Sequence, residues 1–142
     1  MGGLLVVSEK YKQRPGRHLK LPGGALLAGE HISTAVIREV KEETGVDAKF
    51  ESIVCLRHWH GYRYGKSDIY FVCRLSALST EITMDSGEIS ECLWIPLEDF
   101  LADPEVHSFN KLVVRAATSS APGFSEKFIS EYKSDTYELL VN

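Results

Sequence analysis

Residues 24–46 read GALLAGEHISTAVIREVKEETGV, and the way this stretch folds decides how the rest of the chain is read. It holds four carboxylates, an arginine and three glycines at fixed spacings. Glu39, Glu42 and Glu43 fall at i, i+3 and i+4, which on a helix brings them to one face, where like charges repel by a few tenths of a kcal/mol per pair. Advancing about 100° per residue from Glu39 places Ile32, Val36 and Val40 within about 20–100° of it, an apolar stripe. Thr34, Arg38 and Lys41 fall on the far, solvent-like side, while Glu43 lands inside the stripe between Ile32 and Val36. A carboxylate aimed at a core is costly unless paired or metal-bound, and acids in a last helical turn oppose the helix dipole. The spacing predicts one helix over 32–44, ended by Gly45 in a left-handed conformation, with the acids arranged as a site for a hard cation. A solvated acidic helix behind a glycine-rich turn is the plainer alternative. It explains neither the inward Glu43 nor Arg38 beside Glu39.

Outward from the helix, Pro22-Gly23-Gly24 is a sharp turn that lets backbone approach a ligand closely. Strands are expected at 3–8 (GLLVVS), 19–21, 48–59, 68–75 (DIYFVCRL), 80–84 and 92–95, the last ending at Pro96. Residues 9–18 and 61–67 are polar and loop-like, and Asp85-Ser86-Gly87 is a turn. Short helices are expected over 97–101 and 109–118. Residues 119–123 break the pattern, and 119–142 are expected to be a peripheral helix or a tail. Strands on both sides of a long helix predict α/β layers around a mixed sheet, in one domain spanning 1–142.

Composition narrows the function. The net charge of −4 with no long basic run argues against a binder of long nucleic acid or of a membrane surface. No apolar run reaches the roughly 18 residues of a membrane span. Cys55, Cys73 and Cys92 stand far apart without a CxxC, which predicts free thiols in a reducing, intracellular compartment: the cytoplasm first, with nucleus and mitochondrion open.

The stretch 24–46 resembles the Nudix box, G-x5-E-x7-R-E-U-x-E-E-x-G-U with U aliphatic. Gly24, Glu30, Arg38, Glu39, Val40, Glu42, Glu43, Gly45 and Val46 fill all nine defined places. The resemblance implies a Nudix fold, an α/β/α sandwich around a mixed β-sheet. It implies hydrolysis of a nucleoside diphosphate linked to another group X, with Mg²⁺ or Mn²⁺. By position, Glu39, Glu42, Glu43 and the Gly23 carbonyl would hold metal. Arg38 would orient a box glutamate, and Glu30 would support the turn or act through water. Glu42 is the general-base candidate within the box, and Glu88 the one outside it, where an ordinary exposed loop acid is the plain alternative.

Downstream, Arg57, His58 and His60, then GKSDIYFVCRL and GEISECLWIPLEDF, resemble the subgroup that contains the fibroblast-growth-factor-antisense Nudix protein and its plant relatives. That likeness implies an ADP-ribose or NADH type of substrate. Two features stand apart from it: Leu19 occupies a place where many relatives have Trp, and the proline that often follows the box in ADP-ribose enzymes is absent. Tyr62, Arg63, Tyr64 and Lys66 are candidates for substrate contact, with solvated loop residues as the plain alternative. His58 and His60 alternate on one strand face, without a third soft ligand nearby. The family usually carries another strand before residues 3–8, so a shortened chain, a short isoform or part of a longer protein is expected. Relatives often dimerise, so a homodimer is an expectation too. A Nudix module that binds nucleotide or protein without turnover, and a hydrolase of oxidised nucleoside triphosphates, are the competing functions.

Overall fold

An unbroken apolar run makes the first strand. In β1 (Gly3–Glu9) both Val6 and Val7 are fully buried, as in a strand covered on both faces. The computed structural model describes residues 3–10, 18–61, 65–131 and 135–142. They divide into two compact units, drawn from 1–49 with 77–112 and from 50–76 with 113–142.

In the first unit, β1 pairs antiparallel with β4 (Ile89–Pro96), setting Leu5 opposite Trp94 and Val7 opposite Cys92. Val7 also exchanges two 2.9 Å backbone hydrogen bonds with Lys20. This single bridge is all that forms of the strand expected at 19–21, because the chain turns at once into Pro22-Gly23-Gly24. The helix α1 spans Ile32–Thr44, as its periodicity predicts, and buries Ala35, Val40, Glu43 and Thr44. Gly45 ends it at φ 76°. A Cβ there would lie 2.7 Å from the Thr83 nitrogen, so both the backbone angle and the contact demand glycine.

The strand expected at 80–84 does not form. Its backbone serves α1 instead: the Thr83 N–H donates to the Thr44 carbonyl at 2.8 Å and the Asp85 N–H to the Glu43 carbonyl at 3.1 Å. The turn at 85–87 is present, closed by the Gly87 N–H donating to the Asp85 carboxylate at 3.0 Å. After Pro96, α2 (Leu97–Ala102) buries Phe100 completely. Then α3 (Ser108–Thr118) begins, with the His107 Nδ1 accepting the Phe109 N–H at 3.1 Å.

In the second unit, β2 (Ala48–Trp59) is hydrogen-bonded to β3 (Asp68–Ala77). Arg74 donates to the carbonyls of Ala117 at 2.8 Å and Ser119 at 3.1 Å, which holds the C-terminal end of α3. Among the described residues, the tail is neither helix nor free chain. It makes the short antiparallel pair β5 (Ser125–Glu126) and β6 (Leu140–Val141), and Phe124 bridges Ile53. The three cysteines are free thiols, each half-buried.

Candidate active site

The turn at 22–24 and the last two turns of α1 meet in the first unit. A Cβ on Gly24 would overlap the Glu39 carboxylate, so glycine here leaves room for that carboxylate where a side chain would stand. Beside it, the Gly23 N–H donates to the Glu43 carboxylate at 3.3 Å.

Arg38 gathers the other acids. Its guanidinium forks onto Glu30, Nε to Oε2 at 2.7 Å and Nη2 to Oε1 at 3.0 Å. Nη1 donates to Glu39 at 3.0 Å and to Glu42 at 3.2 Å. Nη2 also reaches the Ala25 carbonyl at 3.3 Å. The helical wheel set Arg38 on a solvent-like side. Instead its side chain is only 27 % exposed, because the loop from Gly24 to Glu30 folds back over it. Glu30 in turn accepts the Leu27 N–H at 3.0 Å, which holds that loop closed.

The fields differ from acid to acid. The Arg38 guanidinium, helped by the Leu27 amide, holds the Glu30 carboxyl below its ordinary range, and Glu30 raises Arg38 in return. Burial pushes Glu43 up to about 7; the negative charges of Glu39 and Glu88 add to this, while the Gly23 amide and the Lys20 ammonium oppose it. Glu88 therefore acts on the same carboxylate as the box acids. Cys92 feels the site as well: burial and Glu43 both raise its thiol.

As they stand, no three His, Cys, Asp or Glu side chains among the described residues are grouped tightly enough to hold a metal ion. Glu39 and Glu42 point oxygens at Arg38, and Glu43 at Gly23. Each of these three acids is tied by the hydrogen bonds just given, whereas Glu30 is locked in a fork. Glu42 is the most open of the box acids, 58 % exposed against 17 % for Glu39. Tyr62, Arg63 and Tyr64 lie outside the described residues. Lys66 is exposed in the second unit, between β2 and β3.

Lys20 was missed from sequence. It pairs with Glu9 across the β1 bridge and places a positive charge within reach of Glu43. Its alternation with Leu19 and Leu21 was the available signal, since it puts Lys20 on the opposite face from both.

A family model for the NUDIX domain matches residues 1–117. The chain belongs to the Nudix family. This Nudix domain is 42 % identical over 110 residues to Nudix hydrolase 2 of Arabidopsis thaliana, covering 77 % of this chain and 40 % of that protein. It is 38 % identical over 100 residues to the nucleoside diphosphate-linked moiety X motif 6 protein of Xenopus laevis, covering 69 % of this chain and 45 % of that one. The chain thus spans less than half the length of these curated relatives. Among solved structures, the MutT NUDIX hydrolase of Burkholderia pseudomallei superposes with a TM-score of 0.65 at 23 % identity, over 82 % of this chain and 89 % of that chain. That likeness establishes the shared α/β Nudix fold. Among the described residues, no helix is long and apolar enough to cross a membrane.

Proposed function

We propose that this Nudix domain is a divalent-metal-dependent pyrophosphohydrolase acting on a nucleoside diphosphate linked to a group X, of the ADP-ribose or NADH type. The observation that carries this reading is the Gly24–Glu39 contact. It lays a box carboxylate against a bare backbone turn, next to a second carboxylate buried at Gly23. A purely structural helix has no use for the buried Glu43, which costs free energy without a cation beside it, and none for a turn kept bare of side chains to admit Glu39.

The donor set suits the cation. Every candidate ligand is a hard oxygen, from Glu39, Glu42, Glu43 and the Gly23 carbonyl, as Mg²⁺ or Mn²⁺ prefers. Three carboxylates, Glu30, Glu39 and Glu42, share one guanidinium, and Glu43 stands beside them on the Gly23 amide, which leaves negative charge for a cation to neutralise. When bound, such a cation neutralises diphosphate oxygens and acidifies water. The chain's own residues do the rest. Arg38 fixes Glu30, which fixes the turn, so the glycine backbone is positioned before substrate arrives. Glu42, exposed and singly tied, is the box residue free to take a proton from the attacking water, and Glu88 is the second candidate for that role.

The test is a panel of ADP-ribose, NADH, dinucleoside polyphosphates and oxidised dGTP, assayed with Mg²⁺ or Mn²⁺ and again in excess chelator. Turnover only with metal is expected, strongest on the first two substrates. Full turnover in chelator refutes the mechanism. Silence across the panel with metal present favours a module that binds without hydrolysis, and a preference for oxidised dGTP favours nucleotide sanitation.

A further inference from the structure

A cavity of about 150 Å³ opens in the first unit between the β1 bridge and the start of α3. Glu9, His18, Leu19, Lys20, Glu105, His107 and Asn110 line it. Lys20 belongs to both places: it lines the cavity, and Gly23 is only three positions further along the chain. Three residues span at most roughly 10–11 Å, so whatever sits here is within reach of a diphosphate lying at the glycine turn. The field of Lys20 at Glu43 agrees with that proximity.

The lining is particular. Among the described residues no Phe, Tyr or Trp side chain contributes to it, and a nucleobase gains most of its sequence-independent affinity from stacking on such rings. With Glu9 paired to Lys20, the Glu105 carboxylate leaves the described wall net negative, which disfavours a further phosphate. Beside the apolar Leu19, what the described part of the wall offers is hydrogen-bonding capacity. The Asn110 amide has two donors and an acceptor and makes no side-chain hydrogen bond among the described residues. His107 spends its Nδ1 as an acceptor for the Phe109 N–H, so in the neutral ring Nε2 carries the proton and donates. Glu105 is an exposed carboxylate beside them. The volume falls below the roughly 300–1,000 Å³ that encloses a drug-sized ligand, so it suits one ring of a substrate.

We propose that this cavity seats a hydroxyl-rich, sugar-like X group, and that Asn110, with Glu105 and His107, selects for it by binding its hydroxyls. The inference rests on the pyrophosphohydrolase reading for its substrate class and names the part of the substrate that this chain discriminates. Lys20 stands between the two places: its ammonium is paired with Glu9 in the cavity wall, and its charge is felt at Glu43. A nucleoside diphosphate sugar, ADP-ribose included, then fits better than a compound whose X is a plain alkyl ester.

The experiment compares ADP-ribose with the methyl ester of ADP, for the unaltered chain, Asn110→Ala and Glu105→Gln. Both turnover with Mg²⁺ and equilibrium binding by calorimetry are measured. Glu105 is exposed in a loop, so its variant folds whether or not Asn110→Ala does. The unaltered chain is expected to prefer ADP-ribose by at least tenfold in kcat/KM. Each variant should lose roughly five- to tenfold of that preference, as one hydrogen bond is worth. The loss should appear in KM, with kcat on the methyl ester unchanged. Equal losses on both compounds, or no loss in either variant, overturn the inference. Sugar-selective binding without hydrolysis supports the subsite and refutes the pyrophosphohydrolase reading. Hydrolysis without selectivity does the reverse, and failure to bind either compound overturns the subsite.

Discussion

Arg38 holds Glu30 through two parallel hydrogen bonds, 2.7 and 3.0 Å long, and with its remaining hydrogens it reaches Glu39 and Glu42. The planar fork matches a carboxylate in a way an ammonium cannot. Arg38→Lys is therefore expected to lower the midpoint of urea unfolding, since an ammonium cannot keep both arms of the fork. Activity should fall with it, because the loop from Gly24 to Glu30 loses its anchor. Parental stability with parental turnover would show that the fork is dispensable.

Gly24→Ala tests the turn. The added methyl collides with the end of a flexible side chain, not with backbone. The fold should survive, with stability changed by no more than about 1 kcal/mol, while Glu39 is displaced. Displacement by about 1 Å is enough to cost on the order of 10² in rate. A crystal structure showing Glu39 unmoved, or turnover within twofold of parental, contradicts the assignment.

Glu42→Gln, set against Lys41→Gln, separates chemistry from folding. Glu42 is largely exposed and makes one bond to Arg38, so its loss should change stability by less than about 0.5 kcal/mol. Turnover should fall by roughly 10²–10³, the scale of one well-placed charged group. Lys41→Gln should change neither. The readings are saturating-metal rates and thermal melts in chelator.

Glu43 carries a pH dependence of definite sign. Burial raises it from 4.5 to about 7 in the folded chain. A raised carboxyl favours folding when protonated, so its contribution is fully present below about 4.5 and is lost as pH rises through about 7. In chelator, Glu43→Gln should match the parent at pH 5 and exceed it at pH 8, by on the order of 1–2 kcal/mol. Equal stability at both pH values would place the Glu43 carboxylate in water.

Sequence made the local elements legible where one period dominates and a glycine or proline punctuates. The helix over Ile32–Thr44 and the strand over Ala48–Trp59 fall where their patterns put them. The inward Glu43 was legible from the wheel alone. Arg38 was misplaced because a wheel sees one helix and not the loop that closes over it. Residues 80–84 look like a strand, with Thr80, Ile82 and Thr83 favouring extension, but their backbone groups are spent on the end of α1. The pairing of Ser125–Glu126 with Leu140–Val141 is too short to leave a pattern. Lys20 matters through a cross-strand neighbour, Val7, thirteen positions earlier.

The end of α1 bears on how portable the signature is. The last turn is completed partly by chain forty residues away: Thr83 and Asp85 supply the hydrogens for the Thr44 and Glu43 carbonyls. A transplant of residues 24–46 into another scaffold would carry every box side chain and still fray at the turn that bears Glu42 and Glu43. A working graft needs the 80–85 segment as its companion. In the native chain, slow hydrogen exchange at the Thr83 and Asp85 amides should report that the acidic turn is intact, without any ligand added.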